Sequence, residues 1–536
     1  AYLLYTHRFP LERQGVLVVG PNPLFLRYIE HVLPSLGESG VTLSTVSGLV
    51  GQIRVRAREP VALSRLKGDA RMAKVLAAAV HGRERRLPSR LDLAFGASVV
   101  HLEVAESQAI VERARRRPGS HNQRRRFVED QVLGLLADRY ERFAQGRRGA
   151  SLATPADAGE GDSGRAELVA KLRRVPELRE ALDRMWPRLE PHELVHDLFG
   201  APPLIAWAGE GILSKAEQTM LVRPRCSSFD EVPWTDADAA LVDEARAILG
   251  PRREPKGRPR AERSDDLADP FLEPEATVIA PDEVRSFGHI VVDEAQDLSP
   301  MQLRMISRRS LSGSMTVVGD IAQATGAWTP NAWSEVARHL GSKTGRLVEL
   351  TVSYRTPAEV LALSARVLHL AAPGIEPPVA VRRSGHPPEV VEVLPGALGA
   401  KVADIVRDEL AAAGEGKVAL LAPETLVAEL AGCLRGAGLH PVDPRDPEGQ
   451  GLEAPLIILP ATEAHGLEFD SAIVVEPAAL CEWGGEGGLS LSGLRTLYVA
   501  LTRPTRRLTI VSSLPLPVDL LAPTEPTAPR EPWSTA

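Results

Sequence analysis

The sequence predicts an α/β protein built on parallel sheets, with a long, mainly helical stretch interrupting the first of them. Three observations predict it. Short continuous apolar runs, such as Val16-Leu17-Val18-Val19 and Ile290-Val291-Val292, read as strands buried on both faces. The first run is followed by a turn, an apolar pattern at helical spacing and a second short strand, the order of a parallel β-α-β unit. From about residue 52 the pattern changes to long helical periodicities, and the strand-and-helix alternation returns only near residue 284.

Taken in order, residues 1–8 read as the end of a helix. Gly20-Pro21-Asn22-Pro23 closes the first strand, because Gly, Pro and Asn supply turn geometry. Phe25, Ile29, Val32 and Leu33 then recur at helical spacing, and a second strand is expected over 41–46. Residues 1–51 are thus the first part of an α/β domain. Helical patterns at 72–80, 127–143 and 166–189 fill an insertion over 52–283. In the second of these, Phe127, Leu135, Leu136, Tyr140 and Phe143 form one apolar stripe. Arg-rich turns lie at 113–117 and 124–126. Residues 151–164 are small, polar and acidic, as in a mobile loop, and 250–283 are dense in Pro and charge. The first α/β domain resumes over 284–350, with strands at 290–292 and 315–318. A second occupies 351–514, with strands at 390–393, 418–421, 456–459, 472–475 and 508–511. Pro and Thr dominate a tail over 515–536.

The bulk properties narrow the function. A chain of 536 residues, 44% of them hydrophobic, can bury the cores of about three domains. It has no apolar run long enough to span a membrane and no signal-peptide pattern at its start. Cys226, Cys433 and Cys481 are too dispersed for a metal cluster or a disulfide framework, which fits a reducing cytoplasm. A net charge of −7 gives no support to a passive nucleic-acid coat but leaves room for a motor with a local groove. The basic residues are mostly Arg, and richness in Arg, Ala, Gly and Pro fits a GC-rich bacterial genome. Residue 1 is Ala, so the chain is expected to begin inside a longer protein.

The strongest chemical signal is Ile290-Val291-Val292-Asp293-Glu294-Ala295-Gln296-Asp297, a hydrophobic strand that ends in adjacent acids. An ATPase presents one such carboxylate to Mg²⁺ and the next to the attacking water, although a strand end can also carry acids by chance. Four more segments follow in order. They are Val317-Val318-Gly319-Asp320-Ile321-Ala322-Gln323, Leu350-Thr351-Val352-Ser353-Tyr354-Arg355-Thr356-Pro357, Glu463-Ala464-His465-Gly466-Leu467-Glu468-Phe469-Asp470 and Leu497-Tyr498-Val499-Ala500-Leu501-Thr502-Arg503.

This ordered series resembles motifs II to VI of superfamily 1 helicases of the UvrD, Rep and PcrA type. The resemblance implies two RecA-like domains of the P-loop NTPase fold, with ATP and Mg²⁺ as ligands. It implies Asp293 on the metal, Glu294 on the hydrolytic water and Gln323 as γ-phosphate sensor. Arg355 and Arg503 would be arginine fingers, against the plainer reading of surface or salt-bridge arginines. Tyr354 would stack on adenine, and Gly466 and Glu468 would belong to the ATP site, Glu468 at the ribose or in domain closure. Trp328, five positions after Gln323, would stack on a single-strand base, or else be a core tryptophan. Trp333 reads as structural.

No G-x-x-x-x-G-K-[ST] phosphate loop occurs in the sequence. Its nearest imitation, Gly414-Glu415-Gly416-Lys417-Val418, lacks the hydroxyl residue after Lys. The expectation is a fragment starting just after that loop and lacking turnover by itself; the other account is a degenerate pseudo-ATPase.

Two spacings refine the resemblance. The 111 positions from Arg355 to Gly466 leave no room for the large domain that UvrD-type helicases carry there. The 245 positions from Gly48 to Asp293 hold an early insertion instead. That arrangement, with Val291 to Pro300, Gly319 to Gly326 and Tyr354 to Glu359, is similar to the HelD family, helicase-like factors of bacterial RNA polymerase. The resemblance implies a polymerase partner, with ATP cycling that releases stalled nucleic acid and recycles the enzyme. It also implies a loop of the insertion in the polymerase channel, for which the acidic run 264–275 is the candidate, with Asp265, Asp266, Asp269, Glu273 and Glu275. A solvated linker is the plainer reading of that run. The family pattern has Lys where this chain has His465, which leaves any contact needing a permanent charge in question. Two other readings stay open: a UvrD/Rep-type translocase on single-stranded DNA in repair, and a non-catalytic polymerase-binding module.

Overall fold

The computed structural model describes residues 14–32, 41–51, 53–96, 98–148, 161–251, 284–330, 332–341, 345–394, 396–445, 451–481 and 489–516. The expected helix end at 1–8, the acidic run 264–275 and nearly all of the tail lie outside them. The fold is α/β with parallel sheets. In chain order the strands are β1 (Val16–Gly20), β2 (Val41–Thr45), β3 (Leu91–Phe95), β4 (Ser98–Leu102), β5 (His289–Val292), β6 (Met315–Val317), β7 (Val352–Ser353), β8 (Val379–Ala380), β9 (Glu389–Glu392), β10 (Val418–Ala422), β11 (Leu456–Pro460), β12 (Phe469–Val475) and β13 (Pro504–Ser512). The chain divides into two compact units. One is residues 47–285, and the other joins the residues up to 46 to those from 286 onward.

The second of these units holds both main sheets. The first sheet runs β2-β1-β5-β6 and is parallel throughout, with Val19 opposite Val292 and Val292 opposite Val317. Helix Pro23–Val32 leaves β1 through a turn that its sequence dictates. The Asn22 side-chain oxygen accepts the Phe25 N–H at 2.8 Å, and Pro23 takes the first helical position, where no N–H is needed. The second sheet runs β11-β10-β12-β13-β9, again all parallel. Its strands are apolar on both faces because both faces are covered. Ala419 and Leu421 join Ile457, Leu459, Ala472 and Val474 under helices Ala358–Ala371 and Leu491–Leu501. Val418, Leu420 and Ala422 join Ile458, Ile473 and Val475 under helices Leu398–Ala413 and Glu424–Gly436. A period of two, read along β10, therefore fills two separate cores. Two parallel residues each of β7 and β8 form a third, minimal sheet.

The unit 47–285 is mainly helical, but it also contains an antiparallel hairpin, β3–β4, with Leu91 opposite Leu102. The expected helix over 166–189 is two helices, Gly161–Leu172 and Pro176–Met185, since Pro176 starts a new helix and cannot continue the old one. The mobile loop expected over 151–164 is already helical from Gly161, and its earlier residues lie outside the described ones. Helix His121–Arg148 turns a somewhat different face inward than the expected stripe. Val128, Val132, Leu133, Leu136 and Ala137 are buried, Phe127, Leu135 and Tyr140 flank them, and Phe143 is 41% exposed. Under helix Asp236–Leu249 the fully buried Asp238 carboxylate takes the Lys67 ammonium at 2.8 Å and the Arg223 guanidinium at 2.9 Å. A lone buried charge would be far costlier than this paired one. Among the described residues no helix is long and apolar enough to cross a membrane.

Candidate nucleotide site

Asp293 continues β5 by one step, its N–H donating to the Val19 carbonyl at 3.0 Å. Its carboxyl therefore stands at the carboxyl edge of the first sheet, where open α/β sheets place their ligands. Burial, and then the neighbouring Glu294 carboxylate, raise its pKa above the ordinary aspartate value. Glu294 has φ 50° and ψ 40°, the left-handed region that a non-glycine residue enters only at a cost in free energy. The surroundings hold it there. The Glu294 N–H donates to the Asp293 carboxylate at 2.9 Å, the Ala295 N–H donates to the Val318 carbonyl at 3.1 Å, and the Gln296 amide donates to the Glu294 carboxylate at 2.6 Å.

Gln296 links this turn to the next one. It is fully buried, and its amide oxygen accepts the Asp320 N–H at 3.0 Å. A Cβ on Gly319 would lie 2.1 Å from that oxygen, so only glycine leaves room for the link. Asp320 then accepts the Ala322 N–H at 2.9 Å and the Gln323 amide at 2.8 Å. Gln323 is aimed in consequence, and its amide oxygen accepts Arg503 Nη2 at 3.0 Å.

Arg503 comes from the end of helix Leu491–Leu501, on the second sheet. Nε donates to the Val499 carbonyl at 3.0 Å and Nη1 to the Leu467 carbonyl at 3.3 Å. Burial lowers its pKa, against the upward pull of Glu294 and Glu468. The Arg503–Gln323 bond thus joins two segments 180 residues apart, one from each sheet. Arg355 is exposed and ion-paired with Glu468. Tyr354 beside it is 75% exposed, its ring open to a stacking partner. Gly466 has φ +75°, and a Cβ there would lie 2.6 Å from the Phe25 ring, which is equally close to the Cβ position of Gly20. Phe25 is therefore boxed between two glycines, Gly20 at the end of β1 in the first sheet and Gly466 in the turn before β12 of the second. Gly466→Ala pays for a left-handed alanine, about 1–2 kcal/mol, and for a ring that cannot retreat, about 1–3 kcal/mol. Urea unfolding is expected to show a loss of about 2–5 kcal/mol, and a loss below about 0.5 kcal/mol would refute the boxed ring.

The structure thus gathers Asp293, Glu294, Gln323, Arg355, Gly466, Glu468 and Arg503 along facing edges of the two sheets. Trp328 is half-buried in the segment after Gln323. Asp265, Asp266, Asp269, Glu273 and Glu275 lie outside the described residues. The Gly414–Lys417 imitation of a phosphate loop is the end of helix Leu398–Ala413. Gly414 closes that helix at φ 63°, Lys417 donates its N–H to Asp470 at 3.0 Å, and a strand follows instead of a helix N-terminus. Sequence reasoning left Gln296, Asp297, Asp320, Thr325 and Arg495 without roles. Their signal was faint: polar side chains beside Gly319 and Gly326, where backbone and side chains must approach closely.

No family model matches the chain, and no curated protein matches it. Among solved structures, the C-terminal domain of a possible DNA helicase from Lactobacillus plantarum WCFS1 aligns with 32% of this chain and 92% of its own, at 21% identity and TM-score 0.24. Arterivirus nonstructural protein 10, a helicase solved with DNA, aligns with 42% of this chain and 40% of its own, at 18% identity and TM-score 0.22. Identities and scores this low assign no function.

Proposed function

We propose that the protein is a helicase-like ATPase of the superfamily 1 type that acts on bacterial RNA polymerase in the cytoplasm, releasing nucleic acid and recycling the stalled enzyme. The observation that carries the ATPase reading is the Arg503–Gln323 bond beside the Asp293-Glu294 strand end. Around it lie two acids, the Gln323 amide and a half-buried arginine from the other sheet. That arrangement suits a phosphoryl group transferred at a domain interface.

The residues fit the implied metal. Among the described residues no cluster of three or more His, Cys, Asp or Glu could hold an ion unaided. Mg²⁺ needs no such cage, since it keeps several waters and binds through one or two carboxylates plus substrate phosphates. Asp293, half-buried at a strand end, would hold it, and the ion would supply neutralising charge to the phosphates. Glu294 would orient the water and draw its proton. Gln323 would sense the transferring group, and Arg503 and Arg355 would neutralise it. Tyr354 would cover the base, with Gly466 and Glu468 nearby. The polymerase reading rests on chain order: an insertion ahead of Asp293 and a short interval between Arg355 and Gly466.

The rival translocase reading draws on Trp328. If its indole stacks on a base, Trp328→Ala should weaken single-stranded DNA binding by about 1–3 kcal/mol, roughly 5- to 150-fold. An unchanged affinity in fluorescence anisotropy would assign the indole to packing. The deciding experiment is polymerase capture by the full-length protein together with its ATPase rate. Capture with hydrolysis indifferent to single-stranded DNA supports the proposal. Hydrolysis stimulated by DNA without capture makes the protein a conventional translocase. Capture without any hydrolysis makes it a blocking module.

A further inference from the structure

The segment that leads from Gln323 to Trp328 is held at its middle by groups outside both motif roles. Asp297 accepts the Thr325 N–H at 2.7 Å and the Gly326 N–H at 2.6 Å through one carboxylate oxygen. A Cβ on Gly326 would lie 2.8 Å from the Asp297 carbonyl oxygen, so the approach is as close as glycine permits. The other carboxylate oxygen lies 3.9 Å from Nδ1 of His465, a 5% exposed residue from the turn before β12. Nε2 of the same ring is 3.0 Å from the Thr325 hydroxyl. Arg495, from helix Leu491–Leu501, donates to the Ala324 carbonyl at 3.2 Å.

We infer that His465 is a positioning residue that latches the Gln323–Trp328 loop of the first α/β domain onto the second. The inference rests on the ATPase reading for its kinetic consequence, but its geometry stands without it. The hydrogen bond of the ring is the one between Nε2 and the Thr325 hydroxyl, while Nδ1 faces the Asp297 carboxylate at 3.9 Å, beyond hydrogen-bond reach. One imidazole thereby bonds Thr325 and lies beside the acid that orients the Thr325 and Gly326 amides. A neutral ring suffices, since the task is to fix a loop and not to carry charge to a phosphate. In place of a Lys, the chain has at this position a short, rigid side chain that bonds the loop through Thr325.

The loop has Gln323 at one end and Trp328 at the other. When the two domains separate, His465 leaves Thr325 and the loop loses one of its holds. When they meet, the loop is fixed while Arg503 reaches Gln323. His465 therefore acts through the loop, not on substrate. A shift of about 1 Å in a positioned group can cost on the order of 100-fold in rate, so a loosened but not lost loop is expected to cost about tenfold.

The test uses the full-length protein and two readouts. Hydrogen exchange of the 320–330 segment is expected to speed up about tenfold in His465→Ala, with the core strands β10 and β12 unchanged. ATP turnover is expected to fall about tenfold in kcat while KM stays within about twofold, and His465→Gln, which keeps a donor and an acceptor, should recover most of the loss. Thr325→Val removes the hydroxyl and leaves the imidazole, so it should reproduce both effects should His465→Ala not fold. Unchanged exchange in the segment overturns the latch, and so does faster exchange with unaltered kcat. A wild-type protein that hydrolyses no ATP defeats the proposed function alone, and the exchange rates then decide the latch.

Discussion

Glu294→Gln is expected to lower ATP hydrolysis by two to four powers of ten while leaving nucleotide affinity nearly unchanged, the span of about 10²–10⁴ that a positioned general base contributes. The geometry makes this an unusually clean substitution. The Gln296 amide donates to one oxygen of the Glu294 carboxylate at 2.6 Å, and an amide oxygen in its place accepts the same bond. The left-handed backbone is held by the Glu294 N–H on Asp293 and the Ala295 N–H on Val318, neither of which involves the replaced side chain. Gln is also the same size as Glu. What is lost is the charge that draws a proton from water. Single-turnover hydrolysis by the full-length protein, beside titration with a fluorescent ATP analogue, separates chemistry from binding. A rate within about threefold of wild type would remove Glu294 from the chemistry. The φ of 50° would then be a strained turn without a catalytic purpose.

What the sequence made legible divides along a physical line. Strands buried on both faces, such as Val418-Ala419-Leu420-Leu421, are unbroken apolar runs bounded by turn residues; β1, β10 and β11 end within one residue of the expected bounds, whereas β12 and β13 begin at 469 and 504, ahead of the expected 472 and 508, where polar residues break the apolar run. The adjacent acids of Asp293-Glu294 could be placed because a strand end fixes where its last side chains stand. The β3–β4 hairpin was missed although its signal was present. Leu91-Asp92-Leu93-Ala94-Phe95 alternates partly, Val100 and Leu102 share a face, and Gly96 turns at φ +59°. The helical periods on either side outweighed it, since two five-residue strands offer little periodicity against helices of 13 and 28 residues. Pro176 divided what read as one helix, a break that proline chemistry itself announces. The contacts around the site were illegible for another reason. The Gln296–Asp320 and Thr325–His465 bonds span 24 and 140 residues, and nothing in local spacing reports which loops meet. Gly319 and Gly326 were the only local traces, as places where a Cβ would collide with Gln296 or Asp297.

Arg503 is expected to matter more than Arg355, although sequence alone ranks the two equally. Arg355 is exposed and balanced by Glu468, and solvent screens its charge. Arg503 is half-buried, burial lowers its pKa, and three of its nitrogens are already committed to Val499, Leu467 and Gln323. A cation fixed in a low-dielectric edge before reaction needs no reorganisation when charge develops on a phosphoryl group, and such arginines are worth about 10³–10⁵ in kcat. Arg503→Ala should therefore cost on the order of 10³ or more, and Arg355→Ala less. Because Arg503 also braces the Val499 and Leu467 carbonyls, loss in the alanine variant alone could reflect a slackened helix end. Arg503→Lys keeps the charge, but its single ammonium cannot span Gln323 and both carbonyls as a planar fork does. If Lys still loses about 10² or more in kcat, with the melting temperature near wild type, then directed guanidinium geometry carries the effect. If Lys matches wild type, charge alone is sufficient and the Gln323 contact is incidental. If Ala matches wild type, neither holds, and the bond between the sheets is structural.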